Sequence, residues 1–260
     1  MIRSSEGIEV PTNLAEWCDP SRVALVVYDM QVGICRQVAG AADIVERTGI
    51  VLEAARSAGM RVAFTRHLSL PRKWMGATQL RTAMAWQRRD SPDAVEPWFL
   101  RDAEATRIVP ELAPRADEAV LDKLTMSAFD STALGFALRD CGVRAVALAG
   151  IAMEIGIEPS VRQATDNGFT AVVIEDACGF GNQEARVIFI PAHLAEEVVV
   201  TSEIVSLKDE FGHMRLREGK YTPGQIDGKW SDPIKADFFQ WLEMKKDKPK
   251  VTKAEIEKQL

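Results

Sequence analysis

Residues Val23–Tyr28 read VALVVY, an apolar run without a charged interruption. A strand with one wet face alternates apolar and polar side chains. A continuous run of this length belongs to a strand covered on both faces. Strands of that kind sit in parallel sheets whose crossover helices pack above and below. This one segment therefore sets what the remaining chain must supply: helices and further buried strands in alternation.

The chain supplies them. Asp43–Ala58 places Ile44, Val51, Ala55 and Ala58 on one helical face, with Gly59 as the stop. Arg61–Thr65 and the short Ala119–Leu121 read as strands. Ser131 is placed to cap a helix carrying Leu134, Ala137, Leu138 and Cys141, ended by Gly142. Arg144–Ala149 reads as a strand, Glu158–Asn167 as a helix with Pro159 in its first turn, and Thr170–Glu175 as a strand. Asn182–Glu196 is expected to be helical and broken near Pro191, and Val198–Val200 is a sixth strand. The fold class is α/β: a three-layer α/β/α Rossmann-like domain with a six-stranded, mostly parallel sheet and right-handed crossovers, plus a C-terminal extension.

Three regions follow: an N-terminal segment over 1–19, the sheet domain over 20–205, and an extension over 206–260. The extension falls outside the strand–helix rhythm. Its Phe238, Phe239, Trp241 and Leu242 are too apolar for a solvated tail and are expected to dock on the core or on a partner subunit. Leu68–Arg101 is a long connection rich in Trp and Arg, which reads either as a lid or as a partly helical surface insertion.

Composition narrows the function classes. A net charge of −6 argues against a broad nucleic-acid surface. No apolar run approaches the ~20 residues of a membrane helix, and the N-terminus lacks the apolar centre of a signal peptide, so the expected location is cytoplasmic. Cys18, Cys35, Cys141 and Cys178 are widely spaced, with no CxxC pair, which suggests neither a zinc knuckle nor a disulfide framework. His67, His193 and His213 stand too far apart to suggest a metal site, and neither metal nor cofactor is expected.

Ligands of open parallel sheets bind beyond the carboxyl ends of the strands. The polar residues expected there are Asp29, Thr65 with Arg66 and His67, Asp122 with Lys123, the Gly150–Gly156 loop (GIAMEIG) and Asp176. Asp29 and Lys123 form a candidate carboxylate–ammonium pair, an arrangement suited to general acid or base work.

The motifs Asp29-Met30-Gln31, Asp122-Lys123 with Ser127-Ala128-Phe129, Gly150-Ile151-Ala152 leading to Glu158 and Arg162-Gln163-Ala164, and Glu175-Asp176-Ala177 recur in this order. Over roughly residues 20–205 the chain thereby resembles the isochorismatase-like hydrolase superfamily. The resemblance implies a Rossmann-like fold, an Asp–Lys–Cys triad with Asp29 and Lys123 as its first two members, and a non-proline cis peptide near Ala152–Met153. It also implies a homodimer or homotetramer acting on a small molecule.

The chain departs from the pattern at Gly156, which stands where the resemblance expects the cysteine. Glycine has no nucleophile. One branch, the true isochorismatases, resembles this chain at Ile155-Gly156 and hydrolyses an enol ether, a reaction that needs a proton donor and water but no thiol. Asp29 is then the expected acid or base and Lys123 its electrostatic partner. The Gly156 loop is the expected source of N–H donors, and Glu154 a candidate water-activating base. Gln31, Arg66, His67, Trp74, Phe129, Ile151, Ala152, Met153 and Ile155 are expected to meet the substrate. Arg72, Lys73, Arg88 and Arg89 are further candidates for holding substrate carboxylates. Hydrolysis of a small carboxylated or cyclic metabolite, with an enol ether favoured, is the expected reaction. Amide or lactam hydrolysis by activated water, or an inactive ligand-binding subunit, are the alternatives.

Overall fold

The computed structural model describes residues 1–12, 14–17, 19–181 and 197–199. The extension over 206–260, the helix expected over 182–196, and Cys18, His193 and His213 lie outside the described residues. At the N-terminus β1 (Ile2–Arg3) and β2 (Glu9–Val10) pair as a small antiparallel ribbon, followed by a helical turn, α1 (Leu14–Trp17).

The apolar run forms β3 (Val23–Tyr28), and every one of its residues is buried. It lies at the middle of the main sheet. To one side come β4 (Arg61–His67) and β5 (Ala119–Lys123). To the other come β6 (Ala145–Ile151), β7 (Thr170–Gly179) and the three-residue β8 (Glu197–Val199). Each neighbouring pair in this row is parallel.

Alternation along β3 divides the core. Val23, Leu25 and Val27 face a cluster completed by Val51, Leu52 and Ala55 of α3 (Ala41–Ser57). Ala24, Val26 and Tyr28 face the opposite layer, with Leu134 and Leu138 of α5 (Leu134–Asp140) and Val161 and Ala164 of α6 (Glu158–Asp166). Both faces are thus covered, as a six-residue apolar strand requires.

Several strands run further than their apolar residues suggest. β4 continues through Arg66 and His67, and β5 through Asp122 and Lys123, because these polar ends pair with each other in register. Arg66 reaches Asp122 across that ladder at 2.7 Å. Ser131 does not cap α5. It adopts a left-handed φ of 60°, and the Leu134 N–H is taken by Thr132 Oγ1 at 3.2 Å. The Leu68–Arg101 connection carries a 3-10 turn at Arg72–Trp74 and the helix α4 (Ala77–Gln87), which buries none of its residues. The short helix α2 (Val32–Cys35) follows β3.

The chain leaves β3 towards β4 on one side and returns to β6 on the other. The carboxyl ends of β3 and β6 therefore diverge at a switch point, where parallel sheets open a crevice. Close approach at that point depends on Gly150. Its φ is 132°, and a Cβ there would lie 2.1 Å from the Tyr28 carbonyl oxygen. Gly150→Ala is expected to cost about 3 kcal/mol or more. Urea denaturation checks this, and a midpoint equal to wild type would contradict the close strand approach.

Candidate active site

Asp29 is the first residue beyond β3 and has a left-handed φ of 47°. Non-glycine residues in that region carry backbone strain and need surrounding contacts to hold them. Thr65 of β4 provides them: the Asp29 N–H donates to Thr65 Oγ1 (3.2 Å), and Thr65 Oγ1 donates to Asp29 Oδ1 (2.6 Å). Lys123, the last residue of β5, donates from Nζ to the other carboxylate oxygen, Oδ2, at 2.7 Å. Both partners are almost fully buried, with 0% of the lysine side chain and 5% of the aspartate side chain exposed.

The lysine's remaining protons are also committed. Nζ donates to Tyr28 Oη (2.8 Å) and to the Thr125 carbonyl (3.1 Å), and it lies 4.4 Å from the centre of the Tyr28 ring. An ammonium has three donors, so Lys123 has a partner for each. The Tyr28 hydroxyl in turn donates to the Met126 carbonyl. Burial, reinforced by the Asp29 charge, pushes the Tyr28 phenol well above its ordinary pKa and keeps it protonated.

After β6 the chain passes through a cis Ile151–Ala152 peptide, one residue before the expected position, into a π-helical turn, Met153–Ile157. The Gly156 N–H donates to the Ala152 carbonyl at 3.0 Å. That amide is therefore committed within the turn, as is the Ile157 N–H, which also donates to the Ala152 carbonyl. Ser160 of α6 braces the turn by donating to the Gly156 carbonyl (2.6 Å) and accepting from the Ala128 N–H (2.8 Å). Above Gly156 stands the Tyr28 ring: a Cβ at position 156 would lie 1.8 Å from the phenol oxygen.

Asp29, Lys123 and Tyr28 border a cleft of about 350 Å³. Of the residues expected at the substrate, His67, Ile151, Ala152, Glu154 and Ile155 line it with them. Others do not. Gln31 is fully buried, and its amide group is tied to backbone: Nε2 donates to the His67 and Thr106 carbonyls, and Oε1 accepts from the His67 N–H. Arg66 precedes His67 on β4 and so faces the other way, towards Asp122. Phe129 is buried and stacked on Phe169 at 5.8 Å, and Met153 packs in the same core layer. Trp74 is 73% exposed on its 3-10 turn and does not border the cleft. Neither do Arg72, Lys73, Arg88 and Arg89. Lys123 is the only lysine or arginine among the described lining residues.

Trp86, Trp98 and Phe99 form an aromatic wall supplied by the Trp-rich Leu68–Arg101 connection, and neither these three nor Tyr28 are among the residues expected at the substrate. His67 meets Trp86 and Phe99 edge-on, at 5.9 and 5.8 Å between ring centres. Burial lowers the His67 pKa; Asp29 opposes the shift and Lys123 adds to it. The ring is therefore neutral at pH 7.

No described cysteine borders the cleft. Cys178 is buried, with its thiol pushed up by desolvation and its Sγ 3.7 Å from the Leu148 carbonyl. Cys35 is pushed up to about 11, chiefly by burial, and lies beyond Asp29 in the opposite core layer. Cys141 is exposed at the end of α5. Neither raised thiol has the electropositive setting of a reactive thiolate.

A switch-point cleft with a buried Asp–Lys pair at its base is the ligand-binding position of a parallel α/β protein. Residues 23–203 match the family model of the isochorismatase domain, and the chain belongs to that family. It is 27% identical over 180 residues to the ureidoacrylate amidohydrolase RutB of Caulobacter segnis, covering 61% of this chain and 73% of that one. It is also 27% identical over 205 residues to the phenazine biosynthesis protein PhzD1 of Pseudomonas aeruginosa, covering 76% and 91%. Among solved structures, a cysteine hydrolase from Pseudomonas syringae pv. phaseolicola superposes with a TM-score of 0.61 at 25% identity, covering 76% of this chain and 97% of that one. Among the described residues no helix is long and apolar enough to cross a membrane.

Two outcomes follow from this geometry. Lys123→Met leaves a buried carboxylate without its cation and is expected to cost about 3–5 kcal/mol, with Asp29→Asn/Lys123→Met recovering part of the loss in a denaturation cycle. The lowered His67 pKa gives a pH dependence of defined sign. Below the ordinary value of 6.5 the unfolded chain binds a proton that the folded chain does not, so stability falls as pH drops from there to the folded-state value. Urea midpoints measured between pH 7 and pH 5 should show this fall, and His67→Gln should reduce it.

Proposed function

We propose that this isochorismatase-family hydrolase cleaves its substrate with water as the nucleophile and Asp29 as the group that handles the proton. The observation that carries the reading is the base of the cleft: a buried carboxylate, held by Thr65 and Lys123, with no thiol among the described residues around it. Water is the nucleophile this lining favours. Asp29 borders the cleft and is positioned to give or take a proton there.

The favoured bond is an enol ether. Protonation of the terminal vinyl carbon by an Asp29 carboxyl sends the alkene electrons to that new C–H bond and leaves an oxocarbenium ion. Water adds to the cationic carbon and returns a proton to the carboxylate. Collapse of the hemiketal then releases an alcohol and a ketone. Lys123 orients Asp29 through this cycle, and Glu154 lines the same cleft, where it can orient the water.

A second reading is amide hydrolysis by water that Asp29 deprotonates. It is favoured by the hydrogen bonds that both Asp29 oxygens accept, an arrangement suited to a base, and by the similarity to RutB, named as an amidohydrolase. In either case the described lining suits a small, largely apolar ring better than a dianion, because its one ammonium already has three partners.

The test is a panel of cyclic enol ethers, ureido acids and lactams, some carboxylated and some neutral, assayed in ¹⁸O-labelled water. Turnover of an enol ether, with label in the ketone, is the expected result. Asp29→Asn should then reduce kcat by about 10²–10⁴-fold while circular dichroism shows the fold retained. Wild-type rates in that variant would remove Asp29 from the mechanism.

A further inference from the structure

Two glycines, Gly150 in β6 and Gly156 in the turn after it, exist in relation to a single residue, Tyr28. Gly150 lets the Tyr28 backbone lie against β6, opposite Tyr28 in the parallel register. Gly156, six residues on, leaves the space that the Tyr28 ring fills. A Cβ at 156 would meet the phenol oxygen at 1.8 Å, Cζ at 2.1 Å and Cε1 at 2.4 Å. These are overlaps, not tight contacts.

The ring has little freedom to yield. It is 2% exposed, and its backbone belongs to the central strand. Its oxygen accepts from Lys123 Nζ at 2.8 Å and donates to the Met126 carbonyl. Gly156 has little freedom either: its carbonyl is held by Ser160, and its N–H by Ala152. Displacing the ring would remove a partner from Lys123 beside Asp29.

We infer that Tyr28 determines the chemistry of this site, by filling the space over Gly156 and thereby barring any side-chain nucleophile from position 156. The phenol holds Lys123 from one side while its ring closes the ground on which a thiol would stand. The pair is reciprocal: the ring requires glycine at 156, and a side chain at 156 requires a smaller residue at 28. This inference bears on the water-nucleophile reading, but its test involves neither substrate nor turnover, so the two can fail separately.

The test is a cycle of Gly156→Cys, Tyr28→Val and the double variant, read by melting temperature and by peptide-resolved alkylation with iodoacetamide. Gly156→Cys alone should lose about 5–10 °C, the scale of an overpacked core, or fail to fold. Tyr28→Val/Gly156→Cys should melt within about 3 °C of Tyr28→Val and carry an alkylatable thiol at 156 in the folded protein. Tyr28→Phe/Gly156→Cys keeps the ring and should remain as unstable as Gly156→Cys, which separates ring volume from the hydroxyl. Gly156→Cys with the wild-type melting temperature would overturn the inference. So would a double variant no more stable than Gly156→Cys, or equal alkylation at 156 with and without Tyr28.

Discussion

A lysine and an aspartate with almost no exposed side-chain surface meet at 2.7 Å between the ends of two strands. Removing two charges from water costs several kcal/mol for each, and attraction between them offsets this only when the remaining donors and acceptors are also satisfied. The site meets that condition through its surroundings. Thr65, Tyr28 and the Thr125 carbonyl complete the hydrogen bonding, and each belongs to a different part of the fold. The pair therefore ties β3, β4, β5 and the loop after β5 into one arrangement. A change in any of these elements acts on the carboxylate that faces the cleft.

The parallel sheet makes that arrangement possible. Asp29 and Lys123 are 94 residues apart in the chain, yet they lie at the same edge because every strand of the main sheet runs in the same direction. The switch between β3 and β6 opens the crevice beside them. Local devices finish the placement: the left-handed Asp29 turns its carboxylate to Thr65 and Lys123, and Gly150 brings β6 close enough to form the far wall.

Much of this was legible from sequence, for physical reasons that also mark where it stopped. The buried strands announced themselves by composition, and with them the edge where Asp29 and Lys123 belong. His67 was legible because it closes a strand at that edge. The same logic places Arg66 at the cleft, yet it lies outside it, since neighbouring residues of a strand face opposite ways. Gln31 follows Asp29 closely, but its amide completes the hydrogen bonding of the His67 and Thr106 backbone. The wall of Trp86, Trp98 and Phe99 comes from the long connection after β4, whose path no periodicity announced. By composition Tyr28 is only the last residue of an apolar strand. Its available signal was the hydroxyl, which a buried tyrosine must satisfy and an aliphatic residue would not carry.

That hydroxyl joins two requirements usually met by different residues. A buried tyrosine needs core packing for its ring and a partner for its oxygen. Here the ring packs in the layer of α5 and α6, while the oxygen meets the lysine of the site and a loop carbonyl. Core volume and site chemistry are consequently not independent at this position. A smaller residue at 28 would open a cavity beside Gly156 and leave Lys123 short of a partner; a larger residue at 156 would push the phenol away from Lys123. Either change reaches Asp29 through the lysine without touching the carboxylate. The composition of positions 28, 150 and 156 is therefore a single structural decision, and it ties the shape of the cleft floor to the hydrogen bonding of the buried ion pair.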